Sequence, residues 1–206
     1  MIKDQVIHLV DDEVAIRSSV SFMLQASGFE VHSHASGPAF LRTVAFAEPG
    51  CILLDLCMPE MSGLEVQAEL NERGVAMPVI LLTGHGDIAS VVIAMRAGAH
   101  DFIEKPFEEH ALVSAIEGAF RRPRKGVWKN SGEQQARARV ATLSRREQEV
   151  LQGLVAGKPS KTIACDLSIS ARTVEVYRYK LMAKLGVTCL SDALQLAFAT
   201  RLFEDA

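Results

Sequence analysis

Five residues of this chain have types and positions suited to phosphorus chemistry: Asp11, Asp12, Asp55, Thr83 and Lys105. Each follows or ends a short apolar run. VIHLV (6–10) leads into Asp11 and Asp12, CILLD (51–55) ends on Asp55, PVILLT (78–83) ends on Thr83, and HDFIEK (100–105) ends on Lys105. Carboxylates repel one another, so they gather mainly where a cation neutralises them, and their hard oxygens suit Mg²⁺ with several retained waters. A carboxylate is also a nucleophile towards phosphorus, and attack would give an aspartyl phosphate. Charge developing on the phosphoryl oxygens would need the metal, a fixed cation such as Lys105, and a donor such as the Thr83 hydroxyl. Taken singly, the residues have plainer roles. Asp11 and Asp12 could cap a helix starting at Glu13, and Lys105-Pro106 could be a loop.

The elements that must hold these residues follow from the periodicity. Strand-like runs at 6–10, 29–34, 51–55, 78–83 and 100–105 alternate with helix-like stretches near 14–27, 37–46, 63–73, 88–97 and 108–121. Five strands alternating with five helices predict a parallel sheet covered on both faces, with ligands beyond the carboxyl ends of its strands. All five candidate residues would then share one edge.

Residues 122–142 begin with proline and basic residues and lack a sustained apolar period, so they read as a linker whose second part, EQQARARVA, has helical character. Residues 143–206 contain no strand-like alternation and read as all-helical. Ser144 and Glu147 have capping-box spacing at the start of a helix that Gly157 ends. Ser160 opens a short second helix through Leu167, Ser168-Ile169-Ser170 connects, and a third helix runs from about Ala171 to Leu185. Its apolar face is Val174, Tyr177, Leu181 and Leu185, leaving Arg172, Glu175, Val176, Arg178, Tyr179 and Lys180 facing partly or wholly outward. A short helix, a tight turn and a longer polar helix fit a helix-turn-helix, although helix hairpins also bind proteins.

Composition agrees with two jobs. Of 206 residues, the first 122 hold 8 Lys/Arg against 17 Asp/Glu, while the remainder hold 14 against 8, so an acidic half is joined to a basic one that could face a polyanion. No apolar run approaches the ~18 residues that span a bilayer, and the amino terminus lacks signal-peptide form, so the expectation is a cytoplasmic protein without membrane contact. Cys51, Cys57, Cys165 and Cys189 form no CxxC pair and no zinc spacing, which suggests reduced, mostly buried thiols. The absence of a GxxxxGK[ST] loop argues against an ATPase-driven activator.

Together, Asp11-Asp12, Asp55 with Met58-Pro59 and Gly63, Thr83-Gly84 and Lys105-Pro106 resemble the receiver domain of bacterial two-component response regulators over residues 1–121. The resemblance implies a flavodoxin-like sheet of order 2-1-3-4-5 that takes a phosphoryl group from a phosphohistidine on a sensor histidine kinase. It makes Asp55 the phosphoacceptor, and Asp12, Asp55 and the Cys57 carbonyl the metal ligands, with Asp11 in the outer shell. Thr83 and Lys105 become the phosphoryl partners, Thr83 and Phe102 the switch pair, and Cys57 and His85 positions that tune dephosphorylation. LSRREQEVL and GKPSKTIACDLSISARTVEVYRYKLMAKLGV resemble the LuxR-type (NarL/FixJ-type) four-helix DNA-binding domain from 143 to roughly 200, within a domain bounded at 143–206, with a last helix, LSDALQLAFATRL, suited to pairing two copies. LLTGHGDIASVVIAMRAGAHDFIEKPF and RTVEVYR resemble the FixJ subgroup in particular.

The resulting expectation is a transcription regulator that catalyses only its own phosphorylation and dephosphorylation. Phosphorylation would change a surface including Val91, Val92, Met95, Ala99 and Ile103 and favour a homodimer on double-stranded operator DNA, with RNA polymerase as a further partner. The DNA contacts would come from Lys161, Arg172, Thr173, Glu175, Val176, Tyr177, Arg178, Tyr179, Lys180 and Lys184. Glu175 stands where many relatives carry Lys and could accept from a cytosine amino group, whereas Arg178, Lys180, Lys161 and Lys184 would mainly meet phosphates. Two rivals remain: an aspartyl-nucleophile phosphatase, which would want a second carboxylate where Leu56-Cys57 stand, and a regulator whose receiver only dimerises. Relief of an inhibited DNA-binding domain is an equally open route of activation.

Overall fold

A computed structural model describes residues 5–84, 88–121 and 131–200. Contacts divide these into two compact units, one of 5–84 with 97–121 and the other of 88–96 with 131–200.

In the first unit, five strands form one parallel sheet: β1 (Val6–Val10), β2 (Glu30–His34), β3 (Gly50–Asp55), β4 (Val79–Thr83) and β5 (Asp101–Glu104). The order is β2-β1-β3-β4-β5, as expected. Every residue of β1, β3 and β4 is buried, which is why these strands read as continuous apolar runs. Helices α1 (Val14–Ala26), α2 (Gly37–Thr43), α3 (Gly63–Glu72) and α5 (Glu109–Arg121) belong to this unit. One core joins Ile7, Leu9, Leu53, Ile80 and Leu82 of the sheet to Val20 and Leu24 of α1 and Leu112 and Ile116 of α5. Elsewhere in the unit, the rings of His8, His34 and Phe40 cluster, and burial pushes His34 down to about 4. The helix expected over 37–46 is shorter: α2 stops at Thr43 and a 3-10 turn, Val44–Phe46, follows. Thr43 and Val44 are β-branched, and the Thr43 hydroxyl donates to the Phe40 carbonyl at 3.0 Å, competing with the helix ladder.

Register decides where the site forms. Val10 pairs with Leu54, so the next residues, Asp11 and Asp55, emerge side by side. Asp55 in turn pairs with Leu82 and Thr83 with Glu104, which places Thr83 and Lys105 one step further along the same edge.

The second unit holds α4 (Ile88–Arg96), α6 (Ser131–Ala141), α7 (Arg145–Val155), α8 (Ser160–Asp166), α9 (Ala171–Leu185) and α10 (Leu190–Thr200). Helix α6 occupies the second part of the expected linker, with Ala136 and Val140 buried, while 122–130 lie outside the described residues. Helix α7 starts with a complete capping box between Ser144 and Glu147. Where α7 meets α8, a Cβ on Gly153 would stand 2.8 Å from Ile163, so the glycine permits the close approach. The α8–α9 turn uses Ser168 at φ 54°, and Gly186 at φ 66° ends α9. Val150, Leu151, Leu154, Ile163, Val174, Leu181, Leu185 and Leu194 are buried among these helices. Among the described residues, no single helix is long and apolar enough to cross a membrane.

Candidate functional site

At the carboxyl edge of the sheet, Lys105 stands between two carboxylates. Its Nζ donates to Asp11 Oδ2 and to Asp55 Oδ1, each at 2.8 Å. The Asp11 side chain is fully buried and that of Asp55 nearly so. Burial pushes the Asp55 carboxyl above its ordinary value, against the pull of Lys105, and the Asp11 and Asp12 charges add to the rise. Burial alone would lower Lys105, but its hydrogen bonds to Asp11 and Asp55 outweigh that and leave the ammonium raised. The other Asp11 oxygen accepts from the Glu13 amide at 2.8 Å, a bond within the loop before α1 rather than the helix cap that the plainer reading offered. Helix α1 itself has Glu13 as its N-cap, without a side-chain cap bond.

The acidic trio fits a divalent cation. One oxygen from each of Asp11, Asp12 and Asp55 lies within 4.8 Å of the others, an all-oxygen donor set of the kind typical of Mg²⁺ sites in receiver domains. Bound there, Mg²⁺ would neutralise charge on the three carboxylates and on incoming phosphoryl oxygens. The loop after β3 is shaped by Gly63, because a Cβ there would run into the Asp55 carbonyl oxygen. Cys57 is exposed in this loop, directly after buried Leu56, and because Cys165 is exposed and Cys189 partly so, the expectation of mostly buried thiols holds for Cys51 alone. Thr83 is buried at the end of β4, and its hydroxyl donates to the Gly84 carbonyl at 3.2 Å rather than to Asp55. Phe102 is half-buried in β5. His85 lies outside the described residues. Val91, Val92, Met95, Ala99 and Ile103 are all buried, and the large apolar side chain that α4 exposes is Ile93.

On α9, Arg172, Val176, Tyr179 and Lys180 are exposed, with Tyr179 at 74% exposure, and Thr173 and Tyr177 are partly covered. Lys161 is exposed on α8. Three of the expected contact residues already have partners within the fold. Lys184 Nζ reaches the buried carboxylate of Glu147 at 2.7 Å, tying the end of α9 to the start of α7. Glu175 and Arg178 pair with each other at 3.0 Å and share Ser160.

Three contributors were not evident from the sequence. Arg17 Nη1 donates to the Asp11 and Asp12 carbonyls at 2.8 and 2.7 Å and so anchors the acidic loop. Ser62 and Glu65 form a second capping box that starts α3 just before Gly63; its Ser-x-x-Glu spacing was a readable signal. Ser160 and its bonds across two helices had none.

A buried aspartate at the end of the third strand, an acidic pair after the first and a lysine after the fifth define a receiver, and it is joined here to a helix-turn-helix. The chain belongs to the bacterial two-component response regulators that carry a LuxR-type DNA-binding domain. It is of the FixJ/NarL type and most like the FixJ subgroup. Residues 7–117 match the family model for the response regulator receiver domain, and 141–197 that for bacterial regulatory proteins of the luxR family. The chain is 44% identical to the transcriptional regulatory protein FixJ of Azorhizobium caulinodans, over 93% of this chain and 90% of that one. It is likewise 44% identical to FixJ of Rhizobium meliloti, over 95% and 96% respectively. The crystal structure of full-length FixJ from B. japonicum aligns with a TM-score of 0.57 at 38% identity, covering 95% of this chain and 97% of that one. The architecture is that of a transcription regulator whose catalysis is confined to its own phosphorylation and dephosphorylation. Its partner classes are a cognate histidine kinase and operator DNA.

Proposed function

We propose that Asp55 receives the phosphoryl group and that its modification drives dimerisation and operator binding. The carrying observation is Lys105 bridging Asp55 and Asp11 at 2.8 Å within a trio of carboxylates. Lys105 holds Asp55 Oδ1, and an Asp55 oxygen attacks phosphorus. The P–N bond to a phosphohistidine breaks as the P–O bond forms, and the departing imidazole nitrogen takes a proton from solvent water. Asp12, Asp55 and the Cys57 carbonyl would hold Mg²⁺, with Asp11 outside them, and the ion would supply positive charge against the phosphoryl oxygens. The Thr83 hydroxyl leaves the Gly84 carbonyl for a phosphoryl oxygen, and Phe102 turns into the space vacated.

Residues 1–121 act as the receiver, 122–142 as the connection and 143–206 as the DNA-binding domain. Dimerisation through Val91, Val92, Met95, Ala99 and Ile103 requires these now-buried side chains to be repacked. Two linked DNA-binding domains then gain affinity for a two-half-site operator through effective concentration. Helix α9 enters the major groove with Arg172, Thr173, Glu175, Val176, Tyr177 and Tyr179, while Lys161, Arg178, Lys180 and Lys184 face phosphates, and the bound dimer meets RNA polymerase.

Intact mass after incubation with Mg²⁺ and a small acyl phosphate tests this reading. Wild type gains one phosphoryl group, about 80 Da, and Asp55→Asn gains none. A wild type that gains nothing yet binds DNA would leave the receiver as a dimerisation module.

A further inference from the structure

Ser160, Glu175 and Arg178 close a triangle between α8 and α9. The Ser160 hydroxyl donates to Glu175 Oε1 at 2.6 Å. Arg178 Nη1 donates to the Ser160 oxygen at 3.1 Å and to the same Glu175 Oε1 at 3.0 Å. Ser160 is therefore donor to one partner and acceptor from the other, which uses its one donor and fixes the direction of its hydroxyl. All of the restraint falls on one carboxylate oxygen, and neither donor binds Oε2.

The Glu175 side chain is more than half exposed and that of Arg178 only a quarter exposed. An exposed glutamate ordinarily samples several rotamers, and fixing it at a binding surface costs entropy on complex formation. Here that ordering is already in place, and the adjacent guanidinium offsets the cost of bringing a carboxylate towards a polyanion.

We propose that Ser160 is a positioning residue for sequence recognition. With Arg178 it holds Glu175 so that Oε2 is presented to the major groove as one fixed acceptor for a base amino group, cytosine N4 above all. The inference rests on α9 being the recognition helix with Glu175 at the base edges. A carboxylate is acceptor-only, so it meets guanine O6 and N7 and thymine O4 with repulsion. Adenine offers an amino group but sets the N7 acceptor beside it, whereas cytosine presents the donor without N7.

The test is selection from a randomised duplex DNA pool with the full chain after acyl phosphate treatment. Wild type, Ser160→Ala, Ser160→Thr and Glu175→Ala are compared, and their thermal melts establish folding. Wild type and Ser160→Thr are expected to prefer cytosine about tenfold at one position per half-site, the scale of one good base contact. Glu175→Ala loses that preference. Ser160→Ala retains no more than about twofold of it, while its affinity for the unselected pool and its salt dependence stay those of wild type, since phosphate contacts carry both. If Ser160→Ala keeps the preference that Glu175→Ala loses, the positioning role is overturned while Glu175 remains a base contact. A uniform loss of affinity in Ser160→Ala with base preference intact also overturns it, leaving Ser160 a structural link. If Glu175→Ala keeps the wild-type preference, the base contact itself is wrong and the proposal falls with it.

Discussion

Replacing Lys105 by methionine preserves much of the aliphatic stem but removes the one charge that stands between Asp11 and Asp55. Each ion pair is 2.8 Å long, and the two carboxylate side chains are 0% and 7% exposed. At an effective dielectric of about 20, each pair has a Coulomb energy of roughly 6 kcal/mol, most of it cancelled by desolvation of the charges. Breaking a buried pair by removing one partner costs about 3–5 kcal/mol, and the 19% exposure of the Lys105 side chain favours the lower end, about 3 kcal/mol. For a domain of this size that corresponds to a fall in Tm of about 10–15 °C. Calorimetry in chelator at neutral pH measures it. Two recoveries should follow from the same electrostatics. Mg²⁺ at a hundred times its Kd stabilises by about 2.7 kcal/mol through mass action, so the variant in Mg²⁺ should melt close to wild type in chelator. Acid does so too: burial already holds the Asp55 carboxyl above its ordinary value, and removing Lys105 removes the influence that opposes that rise. A group whose folded pKa is raised favours the folded state when protonated, so the deficit shrinks as pH falls through the folded value towards the ordinary carboxylate range. A variant that melts with wild type in chelator, or one whose Tm ignores Mg²⁺ and whose deficit ignores pH, refutes this account of the site.

Two further outcomes test the scaffold. Gly63→Ala forces a methyl group against the Asp55 carbonyl, so it should cost about 1–3 kcal/mol and slow phosphorylation, read from the denaturant midpoint and the rate of mass gain; a wild-type midpoint would mean that the approach is not tight. Glu147→Gln should cost about 1–3 kcal/mol at neutral pH by breaking the tie to Lys184. Burial pushes Glu147 up, but its bonds to Lys184 and Ser144 outweigh this and hold it below its ordinary value of 4.5. That stabilisation is present above the ordinary value and lost as pH falls through the folded one, so melts of wild type and variant should converge in acid. Parallel pH profiles would contradict it.

The acidic edge was legible because a parallel sheet converts position in sequence into position in space. Val10 aligns with Leu54, so an acid after each apolar run must meet the other, and no side-chain detail is needed to know it. The capping box at Ser144 was legible for the same reason, since both partners lie within one turn. What stayed hidden are choices among partners. Thr83 could be placed but not the direction of its hydroxyl, which turns to the adjacent Gly84 carbonyl. Apolar spacing marks Val91, Val92 and Met95 as one side of α4, but periodicity cannot distinguish a stripe kept for a second copy from one buried within the same chain, where these residues lie. On α9 the ambiguity concerns charge. A lysine four residues beyond Lys180 reads as another phosphate contact, yet Lys184 is held by Glu147, 37 residues away. Arg178 and Glu175 read as a generic pair on one helix, and the hydroxyl that gives the pair a direction comes from a neighbouring helix, 15 residues before Glu175. Basic residues on a recognition helix are therefore a poor count of phosphate contacts. Those already neutralised within the fold contribute less counterion release, so the salt dependence of operator binding should reflect Lys161 and Lys180, unpaired among the described residues, more than Arg178 or Lys184.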